Sequence, residues 1–428
     1  RNDLLVTGWR DLRLYRNLGE GRFEDITDRS GLHREGWSTS AVFADWDDDG
    51  DLDLFVARYL DYDPTTSPFC AAPDGRRDYC GPEVFPAQTD QMYRNVGSCR
   101  FEDVSVESGV ALPGGRALGV LAADLTGDRR LDLFVANDGS PCRLFENRGD
   151  FRFQDVGMEA GVALDGGGKP LSGMGVALGD VDGDGQADLL VTNFLGRSTV
   201  GFRGLGHGLF ADASAELGLK AFTADVLGFG LALEDFDADG DLDLIQANGH
   251  VLDRTRLGEP LVMRAKALRN AGGRFQDASD RAGPCFRIPM LGRGLATGDL
   301  DRDGRPDAVI AALDRPIVVL RNASEGRSLT INLEGRTPGS DVGAEVRASV
   351  DGRETTRIRS GGGSYLSASA RSVYVPMGKA TVLDELEVRW RSGRVDVWNK
   401  IAVRGVFTVK EGEGSSSKSG VPESQERK

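Results

Sequence analysis

Carboxylates recur along this sequence at one spacing. The sets are Asp45, Asp47, Asp49, Asp53; Asp124, Asp128, Asp132, with Thr126 in second place; Asp180, Asp182, Asp184, Asp188; Asp235, Asp237, Asp239, Asp243; and Asp299, Asp301, Asp303, Asp307. Each occupies positions 1, 3, 5 and 9 of a short loop. Carboxylates gathered so closely repel one another unless a cation lies among them. Ca²⁺ suits this set, because it is hard, takes six to eight oxygens and accepts a backbone carbonyl beside carboxylates. That carbonyl falls at position 7: Asp51, Arg130, Gln186, Asp241 and Arg305. Glycine at position 6 (Gly50, Gly185, Gly240, Gly304) allows the sharp turn that brings positions 5 and 7 to one ion. The second loop has Arg129 there and Thr126 at position 3, so it should bind most weakly. An EF-hand shares the opening pattern but needs a bidentate Glu at position 12 and a following helix. Position 12 is Val56, Val135, Val191, Gln246 or Ile310, and the flanks are β-rich, which excludes it.

These loops must be held by a repeated element. A second motif alternates with them: LYRNLGEGRFEDITDRSGL from Leu14, MYRNVGSCRFEDVSVESGV from Met92 and LFENRGDFRFQDVGMEAGV from Leu144, with weaker copies from Gly201 and Ala267. The first Asp of successive loops are 79, 56, 55 and 64 residues apart. Each unit reads as four short strands: a Gly-rich apolar run, a DLFVAN-type run after the Asp loop, the RN-ending run and a short FEDV run. Four strands repeating at this period predict a β-propeller blade, and radial closure covers the edges a flat stack would expose. Asp3 to Thr7 aligns with Asp53 to Ala57, so the chain is expected to open inside a repeat. The expectation is an all-β fold, a seven-bladed propeller over 1–327, followed by a small β domain over 328–412 with alternating apolar runs. A polar, Ser-rich stretch over 413–428 is expected to be disordered.

The chain has 428 residues, with 67 Asp+Glu against 52 Lys+Arg and a net charge of −15, which argues against nucleic-acid binding. The five complete loops hold 19 of the Asp, so five bound Ca²⁺ would reduce that charge to about −5. No apolar run reaches the roughly 18 residues a membrane helix needs. None of the five cysteines lies in a CxxC pair, which argues against a zinc site. Cys70 and Cys80 flank one polar insertion, where a disulfide would staple a loop; free buried thiols are the alternative.

Gly173-Met-Gly175 and Gly292-Arg-Gly294 mimic a dinucleotide loop, but a metal loop follows in place of a helix. Their glycines fit inner strands crowding a propeller axis. Arg148-Gly149-Asp150 spells an integrin-ligand tripeptide, yet it falls in a turn that other copies fill differently. The only histidines are His33, His207 and His250, and no nucleophile or acid–base motif accompanies them. His250 is the best of them, against the alternative of a turn histidine bonded to backbone. Carboxylate-based glycosidase or lyase chemistry stays open as the alternative function.

The Asp loops and their flanking strands resemble the FG-GAP/VCBS blades of integrin α-subunits. The match extends through Ala247-Asn248-Gly249-His250, GRGLATGDLDRDGRPDAV and the run GAEVRASVDGRETTRIRSGGGSYLSASARSVYV. These segments resemble the cartilage acidic protein family and its bacterial relatives, whose blades precede an ASPIC/UnbV domain. Val375 to Gly378 (VPMG) and Trp390 to Gly393 (WRSG) depart from the family's FGLG and WPSG. The resemblance implies a secreted, periplasmic or cell-surface protein. With no catalytic constellation among its residues the chain is expected to be non-enzymatic and monomeric, a Ca²⁺-binding propeller for which the resemblance implies a protein or glycan partner in an adhesion or ligand-binding role.

Overall fold

The computed structural model describes residues 2–402 and 405–416. Within them the chain is almost wholly β and builds a propeller. The first sheet is Leu4–Gly8, Asp11–Gly19 and Arg22–Asp25. The second is Ser38–Ala44, Asp53–Arg58, Gln91–Asn95 and Phe101–Asp103; the third is Ala117–Ala123, Asp132–Asn137, Arg143–Asn147 and Phe153–Asp155. The fourth is Val176–Gly179, Asp188–Val191, Val200–Gly206 and Leu209–Asp212. The fifth is Gly228–Glu234, Asp243–Asn248, Lys266–Asn270 and Phe275–Asp277, and the sixth is Gly292–Gly298, Asp307–Ala312 and Val318–Leu320. Each is an antiparallel meander in chain order. Six blade sheets are present among the described residues, against the seven expected.

The second strand of a blade is buried on both faces, so it reads as a continuous apolar run; all of Asp53–Arg58 and Asp132–Asn137 is buried. Neighbouring blades bury their apolar faces between them, as Val42, Phe55 and Met92 do against Val120, Leu133 and Phe145. The first strands of sheets two to six stand side by side around the axis. There a side chain would collide: a Cβ on Gly175 would lie 2.0 Å from the Phe229 carbonyl oxygen. The glycines of the dinucleotide-like motif therefore serve close strand packing.

The carboxyl-terminal domain is a two-sheet sandwich. One sheet is Val373–Pro376, Ser328–Glu334 and Val406–Lys410, the last two parallel. The other is Arg353–Ile358, Glu345–Val350, Val382–Arg389, Val395–Ala402 and Ser415–Ser416. Leu329, Ile331, Val346, Val375, Leu386 and Trp390 fill the space between them. The edge strand at 415–416 carries ordered structure past 412, where disorder was expected; the remainder of that stretch, 417–428, lies outside the described residues.

Both ends of the propeller axis are covered. From the sandwich, Gly361–Gly362 adds to the first strand of the third sheet. Ser364 exchanges backbone bonds with Val176, and its Oγ donates to the Leu295 carbonyl (2.6 Å) while accepting from the Leu231 N–H (3.2 Å). Leu366 N–H donates to Ser40 Oγ (3.3 Å). One segment thus touches the inner strands of sheets two to six, so it runs where they converge. At the other end lies the insertion between Arg58 and Gln91, stapled by the Cys70–Cys80 disulfide. It reaches across the face: Asp78 pairs with Arg254 (3.1 Å), Asp74 with Arg256 (2.5 Å), and Arg116 donates to the Pro82 carbonyl (3.1 Å).

Candidate metal centres

Each Asp loop joins the first strand of a blade to its second, at the end nearer the sandwich. The turn is made by two left-handed residues. Position 6 is Gly50, Arg129, Gly185, Gly240 or Gly304, with φ of 71° to 100°. Position 4 is Asp48, Gly127, Gly183, Ala238 or Arg302, with φ of 56° to 81°. Sequence reasoning located the first and missed the second, because three of those five residues are not glycine.

Position 9 is the anchor. Its Oδ2 accepts the N–H of position 2, as in Val181 to Asp188 (2.8 Å) and Leu300 to Asp307 (2.9 Å). Its Oδ1 accepts a backbone N–H from the blade's third strand or, for Asn322, from just past it: Asn95 to Asp53, Asn147 to Asp132, Gly204 to Asp188, Asn270 to Asp243 and Asn322 to Asp307, all within 2.7 to 3.0 Å. Three of these asparagines then reach the preceding blade, donating through Nδ2 to the position-2 carbonyl of its loop. Asn147 reaches Trp46 (3.2 Å), Asn270 reaches Val181 (2.8 Å) and Asn322 reaches Phe236 (2.8 Å). The recurring Asn of the RN motif is therefore a staple between blades. The second loop alone meets a neighbour with glycine, Gly204, at this place.

Carboxylate oxygens converge in four loops. Asp45, Asp47 and Asp53 lie with ligand atoms within 4.8 Å of one another, as do Asp180, Asp182 and Asp188; Asp235, Asp237 and Asp239; and Asp299, Asp301 and Asp303. The second loop is absent from this set. Both oxygens of Asp124 accept N–H groups from Gly127, Asp128 and Arg129, and Thr126 Oγ1 donates to Asp132 Oδ2 (3.0 Å). Asp49, Asp184 and Asp307 lie in their loops but outside the tight triads, as does Asp243. Each of these four accepts a backbone N–H: Asp51 to Asp49 (2.8 Å) and Gln186 to Asp184 (2.7 Å) are examples.

The donor set suits a hard cation. Asp45 Oδ1 and Asp182 Oδ1 are buried with no hydrogen-bond partner, an arrangement that costs free energy unless something positive meets them. Burial pushes Asp53 and Asp188 up to about 7, Asp243 to about 8, and Asp45 and Asp235 to about 6. In the last two the arginines of the sandwich oppose the shift. Arg391 lies 3.7 Å from Asp45 and 2.8 Å from Asp48; buried Arg357 lies 3.2 Å from Asp235 and donates to the Gly240 carbonyl. No sequence signal pointed to these two arginines.

His250 is buried in its turn. Its Nδ1 accepts the Leu252 N–H (2.9 Å), its ring meets Phe194 edge-on at 5.4 Å, and Nε2 stands 3.6 Å from Glu259. This is the turn histidine bonded to backbone. Arg148-Gly149-Asp150 forms the tight turn before Phe153–Asp155, with Arg148 paired to Glu146 at 2.8 Å.

Residues 1–56 and 124–191 match the family model of the FG-GAP-like repeat, and residues 335–416 match that of ASPIC and UnbV. The chain is 31% identical over 215 residues to cartilage acidic protein 1 of Mus musculus, covering 47% of this chain and 30% of that protein. It is 28% identical over 316 residues to the Homo sapiens protein, covering 60% of this chain and 45% of that one. It thus spans about a third to a half of the length of the curated relatives it matches. Among solved structures, rhamnogalacturonan lyase YesW covers 94% of this chain and 68% of its own at 13% identity, with a TM-score of 0.36. An Agrocybe aegerita lectin specific for terminal N-acetylglucosamine covers 75% and 90% at 17% identity, with a TM-score of 0.34. Likenesses this distant carry no argument about function.

Proposed function

We propose that this chain of FG-GAP-like repeats and an ASPIC and UnbV domain is a Ca²⁺-binding, extracytoplasmic module that binds a protein or carbohydrate partner. In this reading 1–327 is the propeller, 328–412 the appended domain, and Ca²⁺ is held by positions 1, 3, 5 and 9 of the first, third, fourth and fifth loops, with the carbonyl at position 7. The observation that carries it is the buried, donor-free oxygen of Asp45 and of Asp182 inside a converging set of carboxylates. The disulfide is in keeping with an oxidising compartment, where extracellular modules bind Ca²⁺ at about 10⁻⁴ to 10⁻³ M. No helix among the described residues is long and apolar enough to cross a membrane. Calorimetric titration of the chelated protein with Ca²⁺ tests the metal sites, with four strong equivalents expected. A flat titration together with an unchanged melting curve in EDTA would sink them. A glycan and protein array probed with and without Ca²⁺, its supernatants checked for cleavage, tests binding against turnover.

A further inference from the structure

The end of the propeller away from the Asp loops carries a cavity of about 590 Å³ between the first and second sheets, within the size range of small-ligand sites. The register places it: Ala44 pairs with Asp53 at the metal end of the second blade, and Ser38 with Arg58 at the other. Arg58 lines the cavity and is only 6% exposed. Its guanidinium donates to Ser38 Oγ (3.1 Å), Gln91 Oε1 (2.9 Å) and the Glu35 carbonyl, all neutral acceptors. Among the described residues no carboxylate comes within ion-pair distance of it. The other two arginines of the lining are neutralised, Arg34 by Asp11 (3.1 Å) and Asp28 (3.2 Å), and Arg10 by Asp63 (3.7 Å). The carboxylates that face it, Asp90, Asp103 and Glu35, act on it from beyond ion-pair distance, so a buried cation here lacks a direct partner that an anion reaching it would supply.

The rest of the lining asks for more than a bare anion. The Glu35 and Asp61 carboxylates of the lining accept no hydrogen bond among the described residues, Glu35 acting on Arg58 only through its charge, so both can accept hydroxyl groups. Gln88 is held by the Trp37 N–H at its Oε1 (2.9 Å), and its amide N–H₂ has no protein acceptor among the described residues. Trp9 is 41% exposed and is held edge-on against Tyr62 by an indole N–H bond to the Tyr62 carbonyl (3.2 Å). Arg10 stacks over one face of the Trp9 ring (4.9 Å to its centroid), which leaves the opposite face, beside these donors and acceptors, for the C–H face of a sugar ring. Gly36 keeps the floor open, since a Cβ there would lie 2.0 Å from Arg58 Nη2.

We infer that this cavity is a subsite for an acidic saccharide, with the carboxylate of a uronic acid residue on Arg58 and its ring against Trp9 and Tyr62. The inference rests on the ligand-binding reading above and names its place and ligand class. The probes are short oligomers of galacturonate and of glucuronate, compared with neutral oligomers of galactose and glucose and with acetate. Binding is read by tryptophan fluorescence and calorimetry on the full chain in Ca²⁺. A uronate oligomer should bind, and Trp9→Ala and Asp61→Ala should each weaken it about tenfold or more without moving the melting curve. Arg58→Gln should weaken it further; should that variant fold poorly, the two exposed-residue variants decide. Equal binding of neutral oligomers, equal binding of acetate, or no binding of either uronate overturns the proposal. Uronate binding left intact in both Trp9→Ala and Asp61→Ala overturns this site while leaving the ligand-binding reading in place. Loss of the Ca²⁺ titration with uronate binding retained would sink the metal reading and spare the subsite.

Discussion

Asp182 holds one carboxylate oxygen out of solvent without a donor, and Arg203 takes the other at 2.7 Å. Asp182→Ala should therefore remove one Ca²⁺ equivalent from the titration, or weaken that site at least tenfold, about 1.4 kcal/mol, and leave the other sites unchanged. Asp90 offers a pH test away from the loops. It is buried, accepts the Arg58 N–H at 2.9 Å, has its nearest cation, Arg143, 4.0 Å away, and is pushed up to about 7 by desolvation. The folded chain holds this proton more tightly than the unfolded one, so its contribution is full below about 4 and is lost as the pH rises through about 7. Denaturant midpoints of wild type and Asp90→Asn should diverge over that window, the wild type losing on the order of a few kcal/mol relative to the variant. At this scale the recurring Asp positions were legible, because the same residue type returns in one register. The left-handed position 4 was not, since only two of its five residues are glycine and Ala238 and Arg302 are of types that rarely adopt it.

The second loop departs from the other four at Thr126 and Arg129. Asp124 accepts loop N–H groups as Asp180, Asp235 and Asp299 also do, but here Thr126 Oγ1 donates to Asp132 where the other loops carry a carboxylate, and Arg129 holds φ 71° at a cost of roughly 1–2 kcal/mol. The double variant Thr126→Asp, Arg129→Gly should gain a Ca²⁺ equivalent by calorimetry; unchanged stoichiometry would show that Gly204 of the next blade also matters. The inter-blade staple makes a separate prediction. Asn147 is buried, and Asn147→Ala would leave the Trp46 carbonyl without its donor, for about 1–3 kcal/mol measured by chemical denaturation. Strand order and blade period were readable from apolar runs and turn residues. The role of the recurring Asn was not, because its partner lies 101 residues away in the preceding blade.

For the molecule as a whole, the axial segment docks the sandwich onto the propeller, and in the proposed reading Ca²⁺ adds to the stability of the blades. At roughly 1 mM free Ca²⁺ and a Kd of about 0.1 mM each filled site adds about 1.4 kcal/mol, so EDTA should lower the melting temperature and Ca²⁺ restore it. Gly362 takes φ 71° with its Cα against the third blade, where a Cβ would lie 2.6 Å from the Val120 carbonyl. Gly362→Ala should therefore loosen the axial segment and lower the melting temperature, or split one transition into two; an unaltered curve would show that the segment does not hold the domains together. The sequence left Cys70 and Cys80 as either a disulfide or free thiols, and by itself determined the blade repeat, the register of the Asp loops and the separate β character of the carboxyl-terminal region. Each of these is written in local spacing, where period, charge and turn chemistry act over a few residues. Only the tertiary structure decided that the sandwich sends Gly361 to Ala370 into the propeller axis and Arg357 and Arg391 onto two Asp loops. It alone set Arg58, with no carboxylate within ion-pair distance among the described residues, in a cavity lined by Trp9 and Tyr62. Those arrangements join residues tens to hundreds of positions apart, and no local pattern encodes which distant surface will cover a charge.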